Sequence, residues 1–282
     1  MGTFLVILAG VSWGVISIFI HALDGAGLDS FDIMTVRTWG SALILLVYLA
    51  ITDRNKLKIA LKDLWMFIGT GLLSLTFFSY CYFTSIVESG TAVAVVLLYT
   101  SPAFVMIMSF IFFKEKLNAT KGIALVMTMA GCALVAGIAG GAARLSMRGL
   151  LLGLGAGFGY ALYSIFAGFA LKKYSSLTIT FYTFLLSGIA LLTIRNPLVI
   201  AARVDAKLWP YMLGLVVIAT VLPYITYTLG MSKMEIGKAA VLVTVEPLVG
   251  ALIGIFVWGE AMSPMKLLGI VLILASVVIS NL

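Results

Sequence analysis

Two charged side chains stand inside otherwise apolar stretches, and they bound the chemistry open to this chain. Glu246 falls some nine residues into the run that begins near Gly237, ~13 Å deep if that run is helical. A carboxylate cannot reach surface water from there. A charge at that depth costs about 2.5–3.5 kcal/mol on insertion scales, so Glu246 must be paired, face a cavity or carry a proton. Its functional roles are proton exchange or reception of an ammonium group; its structural role is that of a neutral acid fixing the break at Pro247. Arg37 is about five residues inside its own run, ~8 Å below the end by helix rise. It can snorkel to Asp29, Asp32 or a lipid phosphate, or turn into a cavity and grip a carboxylate through two parallel hydrogen bonds.

Rings recur around these charges at helical spacing. Trp13 corresponds to Tyr160, with Tyr163 one turn on, and Phe77 and Tyr80 correspond to Tyr224 and Tyr227. Residues three or four apart share a helix face, and buried tyrosine hydroxyls need partners, so the set predicts a semi-polar chamber. Taken singly, each ring is more often packing or interfacial belt than a ligand contact. Pro102 and Pro247 lie near the middle of their runs, and each frees the carbonyl four residues back, at Leu98 and Val243. Membranes tolerate such breaks only where backbone faces protein or water, which points to Tyr99, Thr100 and Ser101 and to Thr244 and Glu246 as pathway residues. Pro223 beside Tyr224 is a third break, and Ser17 and Tyr182 (near the repeat position of Arg37) complete the candidate set.

The elements that must position these residues follow from composition. A mean hydropathy of +1.18, 62% hydrophobic residues and 10% charged ones leave too little polar surface for a soluble globule, where about 25% charge is usual. Runs of about 20 apolar residues cross the roughly 30 Å hydrocarbon core as helices. Ten are expected, at 3–22, 31–51, 64–84, 90–113, 121–138, 147–171, 176–194, 209–231, 237–257 and 264–281. Met1-Gly2-Thr3-Phe4 lacks the basic start of a secretory signal, so the first run reads as a retained helix. Trp65 and Trp209 read as interface anchors, and Cys81 and Cys132, both within spans, carry no redox signal.

The second half repeats the first. Ala9-Gly10 and Ser17-Ile18-Phe19 return as Ala156-Gly157 and Ser164-Ile165-Phe166; Gly90 and Ala92, then Pro102 and Glu115, return as Gly237 and Ala239, then Pro247 and Glu260. The units are residues 1–140 and 147–282. Five helices per unit is odd, so the second enters the membrane in the opposite sense, an architecture that shows one midplane site alternately to each side. With both termini inside, eleven Lys and Arg fall in the inner loops and six in the outer ones (Arg144, Arg148, Arg195, Arg203, Lys207 and Lys266), which places both termini in the cytoplasm. The net charge of +7 is thus a topology signal; no basic patch suggests nucleic acid. Glu115 and Glu260 are expected beside the starts of the fifth and tenth helices as dipole partners. The Gly10-x3-Gly14, Gly155-x3-Gly159 and Gly250-x3-Gly254 spacings permit close helix packing.

An intramembrane enzyme would need a nucleophile with its base, a metal cluster or paired carboxylates, yet His21 is the sole histidine and no two acids fall close together in the spans. There is no Gly-x4-Gly-Lys-Ser/Thr loop for ATP. Catalytic residues, metal ligands and cofactors are therefore not expected. The doubled Gly-x-Ala…Pro-x12-Glu signature, Glu246-Pro247, Arg37 and the aromatic at Trp13 resemble EamA-type transporters of the drug/metabolite superfamily, over essentially the whole chain. That resemblance implies an all-α protein of ten transmembrane helices in two inverted five-helix repeats, with a central cavity lined by helices 1, 3, 4, 6, 8 and 9 and with 5 and 10 peripheral. The partners to expect are a small-molecule substrate and the lipid bilayer of the cytoplasmic membrane, with proton coupling, exchange and simple downhill movement as open alternatives and the chain a monomer or homodimer. An amino acid or similar zwitterion is the first choice of cargo, a small organic cation the second; a channel or lipid flippase shares the architecture.

Overall fold

A computed structural model describes residues 1–137 and 146–280. All regular structure among them is helical. Seven helices are long enough to cross a membrane: α1 (Gly2–Asp24), α2 (Ser30–Thr52), α3 (Leu61–Ser89), α4 (Thr91–Phe113), α6 (Met147–Ala170), α8 (Ala206–Met231) and α9 (Ile236–Phe256). Three shorter apolar helices, α5 (Ala119–Val135), α7 (Ser176–Leu191) and α10 (Pro264–Ile279), complete the ten. Residue 138 of the fifth expected span, residue 281 of the tenth, Arg144 and the side chain of Arg203 lie outside the described residues.

The pairing of helices is unchanged when the two halves are exchanged. α1 packs on α8 and α9, and α6 packs on α3 and α4; α5 pairs with α10, and α2 with α7. At the α5–α10 crossing two glycines meet, since a Cβ on Gly131 would stand 2.8 Å from the Gly269 carbonyl and one on Gly269 2.7 Å from the Gly131 carbonyl. Thr128 donates to Ser276 at 2.9 Å beside them. The α2–α7 seam is tied by Trp39, whose indole donates to the Gly188 carbonyl at 3.0 Å.

Five helices are interrupted, α1 briefly at Val15 between Gly2–Gly14 and Ile16–Asp24. α4 and α9 break where proline demands it, at Tyr99-Thr100 and at Val243-Thr244, and in each break a threonine hydroxyl bonds back three residues, Thr100 to Leu97 and Thr244 to Val241. α3 and α8 instead loosen into π-helical stretches, Gly69–Thr76 and Val217–Val221, and a threonine hydroxyl reaches the carbonyl five residues back in both, Thr76 to Gly71 at 3.0 Å and Thr220 to Leu215 at 2.7 Å. Single-turn π segments concentrate at functional sites, and the five-residue stretch of α8 is of that size.

Gly10 and Gly157 seat the broken helices. A Cβ on Gly157 of α6 would stand 2.8 Å from the Leu97 carbonyl and 3.3 Å from that of Leu98, and one on Gly10 of α1 would stand 2.7 Å from the Val243 carbonyl. The carbonyls four residues before the prolines therefore lie against glycine backbone, where a Cα–H contact is available to them, and that of Val243 also accepts the Glu246 N–H at 3.0 Å.

Arg195, in the turn after α7, clasps the α1–α2 turn by pairing with Asp29 and, at 2.9 Å, with Asp32. Partial burial works against the Asp29 charge, but the Asp32 amide and the guanidinium outweigh it and hold its pKa below the ordinary 3.8. Because the folded value lies under the unfolded one, this stabilisation is complete above about pH 4 and disappears as the pH falls further. Arg195→Met should flatten the acid-side fall of the thermal midpoint between pH 5 and 3; an unaltered slope would remove Asp29 from that account.

Candidate functional site

Between the halves lies a cavity of about 220 Å³. α1 contributes Trp13, Ile16 and Ile20, α3 contributes Phe78, Ser79, Tyr82 and Phe83, and α4 contributes Val95, Leu98 and Tyr99. Tyr160 comes from α6, Leu215 and Tyr224 from α8, and Glu246 from α9, at the break. α2 also takes part, through Ser30, Ile33, Met34 and Arg37. The lining therefore extends beyond the six helices that the resemblance implied, while α5 and α10 stay outside it as expected.

Arg37 faces this cavity. Its Nε donates to Thr220 Oγ1 at 2.9 Å in the π stretch of α8. It does not snorkel to Asp29 or Asp32, both of which pair with Arg195 instead. Glu246 has a single long contact, a 3.5 Å hydrogen bond from the Tyr160 hydroxyl. Neither charge belongs to an ion pair among the described residues. Ion pairs hold buried charges in lipid-embedded bundles; two unpaired opposite charges on one cavity leave their partners to be supplied.

Rings form the floor. Trp13 stands edge-on to Tyr224 at 5.1 Å and to Tyr160 at 6.3 Å. Beneath them Tyr163 bonds Thr228 at 2.7 Å and Tyr227 bonds Ser164 at 2.9 Å, with room between for about one water. Tyr163 and Tyr227, expected as lining, thus seal the cavity from below. The mouth lies at the other end, between Ile20 and the exposed Ser30.

Several expected residues are elsewhere. Phe77 and Tyr80 point outward, 42% and 51% exposed, because the π stretch of α3 is eight residues long and that of α8 five, so a constant offset between the halves loses register there. Phe78, Ser79, Tyr82 and Phe83 face inward in their place. Ser17 keeps a buried, unpartnered hydroxyl outside the cavity. Ser101 and Thr244 are buried within the two helix breaks, and Tyr182 donates to the Leu57 carbonyl at 2.7 Å, far from the site. Pro102, Pro223 and Pro247 do not line the cavity; each sits in the first turn after an interruption. Glu115 does not serve α5 but accepts from the backbone of Ile236 and Gly237 at the start of α9, the latter at 3.0 Å.

The model of the EamA-like transporter family matches residues 1–137 and again 147–282. The chain belongs to the EamA-like transporter family. As an EamA-like protein it is a multi-pass membrane transporter, a class apart from enzymes. It is 29% identical over 279 residues to a protein of Archaeoglobus fulgidus named "uncharacterized transporter", covering 98% of this chain and 94% of that one. It is 25% identical to the uncharacterized transporter YwfM of Bacillus subtilis, covering 97% and 91%. A solved crystal structure superposes with a TM-score of 0.82 at 14% identity, covering 99% of this chain and 96% of the other; that likeness extends to the EamA-like fold alone.

Proposed function

We propose that this transporter carries a small zwitterion of the amino-acid kind by alternating access. One observation carries the reading: Arg37 and Glu246, opposite in charge and unpaired, line a single enclosed cavity. With Nε committed to Thr220, the guanidinium still offers its two terminal nitrogens to a carboxylate. Glu246 accepts an ammonium group, and Trp13, Tyr99 and Tyr224 pack the part between. The sealed floor, with a mouth at one end only, supports a carrier over a channel. Taking the Lys- and Arg-rich end as cytoplasmic, which the loop charges support, the cavity of this state faces out of the cell's inner membrane, and the two repeats are the units that move. Glu246 is the group through which protons couple to the cargo if the flux is proton-driven. A small organic cation is the second cargo this site suits, since Glu246 and the rings would hold it without Arg37.

A thermal-unfolding panel of purified protein with neutral amino acids, amines and sugars tests this. A ligand at a hundred times its dissociation constant stabilises by about 2.7 kcal/mol. Amino acids should raise the midpoint and their methyl esters should not. Stabilisation by amines alone or by sugars alone would overturn the zwitterion.

A further inference from the structure

One end of the bundle is locked by two contacts that cross between the halves. Glu115, after α4, receives the first backbone N–H groups of α9, and Lys121 of α5 pairs with Glu235 beside them. The repeat supplies mates for the side chains and the glycine: Glu260 for Glu115, Gly90 for Gly237, Lys266 for Lys121 and Glu88 for Glu235, the Gly90 N–H being held here by the Ile86 carbonyl at 2.8 Å. Even the local caps correspond, since Asn118 holds the Lys121 amide at 2.9 Å and Ser263 the Lys266 amide at 3.2 Å.

At the other end neither mate contact is made. Glu260 turns to Lys266 at 2.7 Å, and Glu88 to Arg148 at 3.1 Å. A Cβ on Gly237 would stand 3.2 Å from Glu115 Oε2, whereas one on Gly90 would meet nothing within 4 Å. This unlocked end is the one at which the cavity opens, beside Ser30.

We propose that these residues form two equivalent latches that engage by turns: Glu115 on α9 with Lys121–Glu235, and Glu260 on the opening N–H groups of α4 beside Gly90 with Lys266–Glu88. The inference rests on the alternating-access reading above. Helix-opening N–H groups have no partner in their own helix, and a carboxylate on them makes charge-assisted bonds. Switching breaks one such set and forms its copy, so the two states stay close in free energy, which a reversible carrier requires. Lys266 and Arg148 occupy Glu260 and Glu88 while that end is open.

Spin-label distances across each end test this, with both buried cysteines replaced. Val87→Cys with Met262→Cys reads the open end, and Leu117→Cys with Ser232→Cys reads the locked one. Glu115→Gln should shift the ratio of the two states about tenfold or more toward the swapped pattern, the open end shortening as the locked end lengthens. Lys121→Met should shift it the same way, and Glu260→Gln should deplete the swapped state. Two outcomes overturn the latches alone: ends that exchange on adding mixed neutral amino acids while both glutamine variants track the wild type, or Glu260→Gln acting in the same direction as Glu115→Gln. Distances fixed in every variant and with every addition would overturn the carrier reading with them.

Discussion

Arg37→Gln should weaken binding of a zwitterionic cargo by about thirtyfold or more while leaving the folded protein intact. Arg37 has one polar partner in the structure, the Thr220 hydroxyl, and that hydroxyl keeps its own bond to Leu215 when the guanidinium is gone. Removing one member of a buried, hydrogen-bonded charge pair costs about 2–5 kcal/mol, a loss of affinity between roughly thirtyfold and several thousandfold. Arg37→Lys should recover little, because an ammonium group cannot bond Thr220 and present a two-pronged face to a carboxylate together. Glu246→Gln should behave differently: it preserves a hydrogen-bonding partner for Tyr160 but removes the counter-charge of the ammonium end, weakening amino acids and amines alike. Calorimetry or scintillation proximity with the amino acid that stabilises best reads both effects. Equal affinity in wild type and Arg37→Gln, with amines still bound, would transfer the assignment to a cationic cargo.

The second large effect is structural. Gly157→Val should prevent accumulation of folded protein, and Gly10→Val should do nearly the same. The Cβ at Gly157 would press on the Thr100 hydroxyl and on the Leu97 carbonyl, and at Gly10 on Val245 and the Val243 carbonyl. These neighbours are backbone and short side chains at the helix breaks and cannot turn aside. Overpacking a close-packed site costs about 1–3 kcal/mol for small additions, and here it also pries apart the seats of the two helix breaks. Gly250→Ala is the control: its nearest neighbour would be the Gly14 carbonyl at 4.0 Å, and alanine is the better helix former by ~1 kcal/mol. Fluorescence-detected gel filtration of the three variants gives the comparison. A monodisperse Gly157→Val protein with the wild-type midpoint would show that α6 and α4 do not depend on that close approach.

Much of this was legible in the residues. Ten apolar runs and the breaks at Pro102 and Pro247 follow from hydropathy and from what proline requires in lipid, whereas for Glu246 the residues left a partner, a cavity and a proton as alternatives. Arg37 left two readings open, and only the position of Arg195, far along the chain, separates them. Phe77 and Tyr80 went astray for a local reason: a π-helical stretch carries no composition of its own, so counting by 3.6 residues passes through it unaware and emerges on another face. Thr220 was missed with it, since a threonine earns its place there by bonding five residues back. The cross-links of Glu115 were hidden differently. Their spacing was plain, but the natural partner of a loop carboxylate is the next helix, and its true partner belongs to the other half.

The seating of α1 carries a consequence for how the chain is made. Its chief neighbours are α8 and α9, so α1, made well before them, finds its permanent place only once those two helices have been inserted. Until then Gly10 and Gly14 face lipid or provisional company. A nascent chain halted before the ninth span therefore holds an orphaned first helix, a natural mark by which membrane quality control could tell unfinished copies from mature ones.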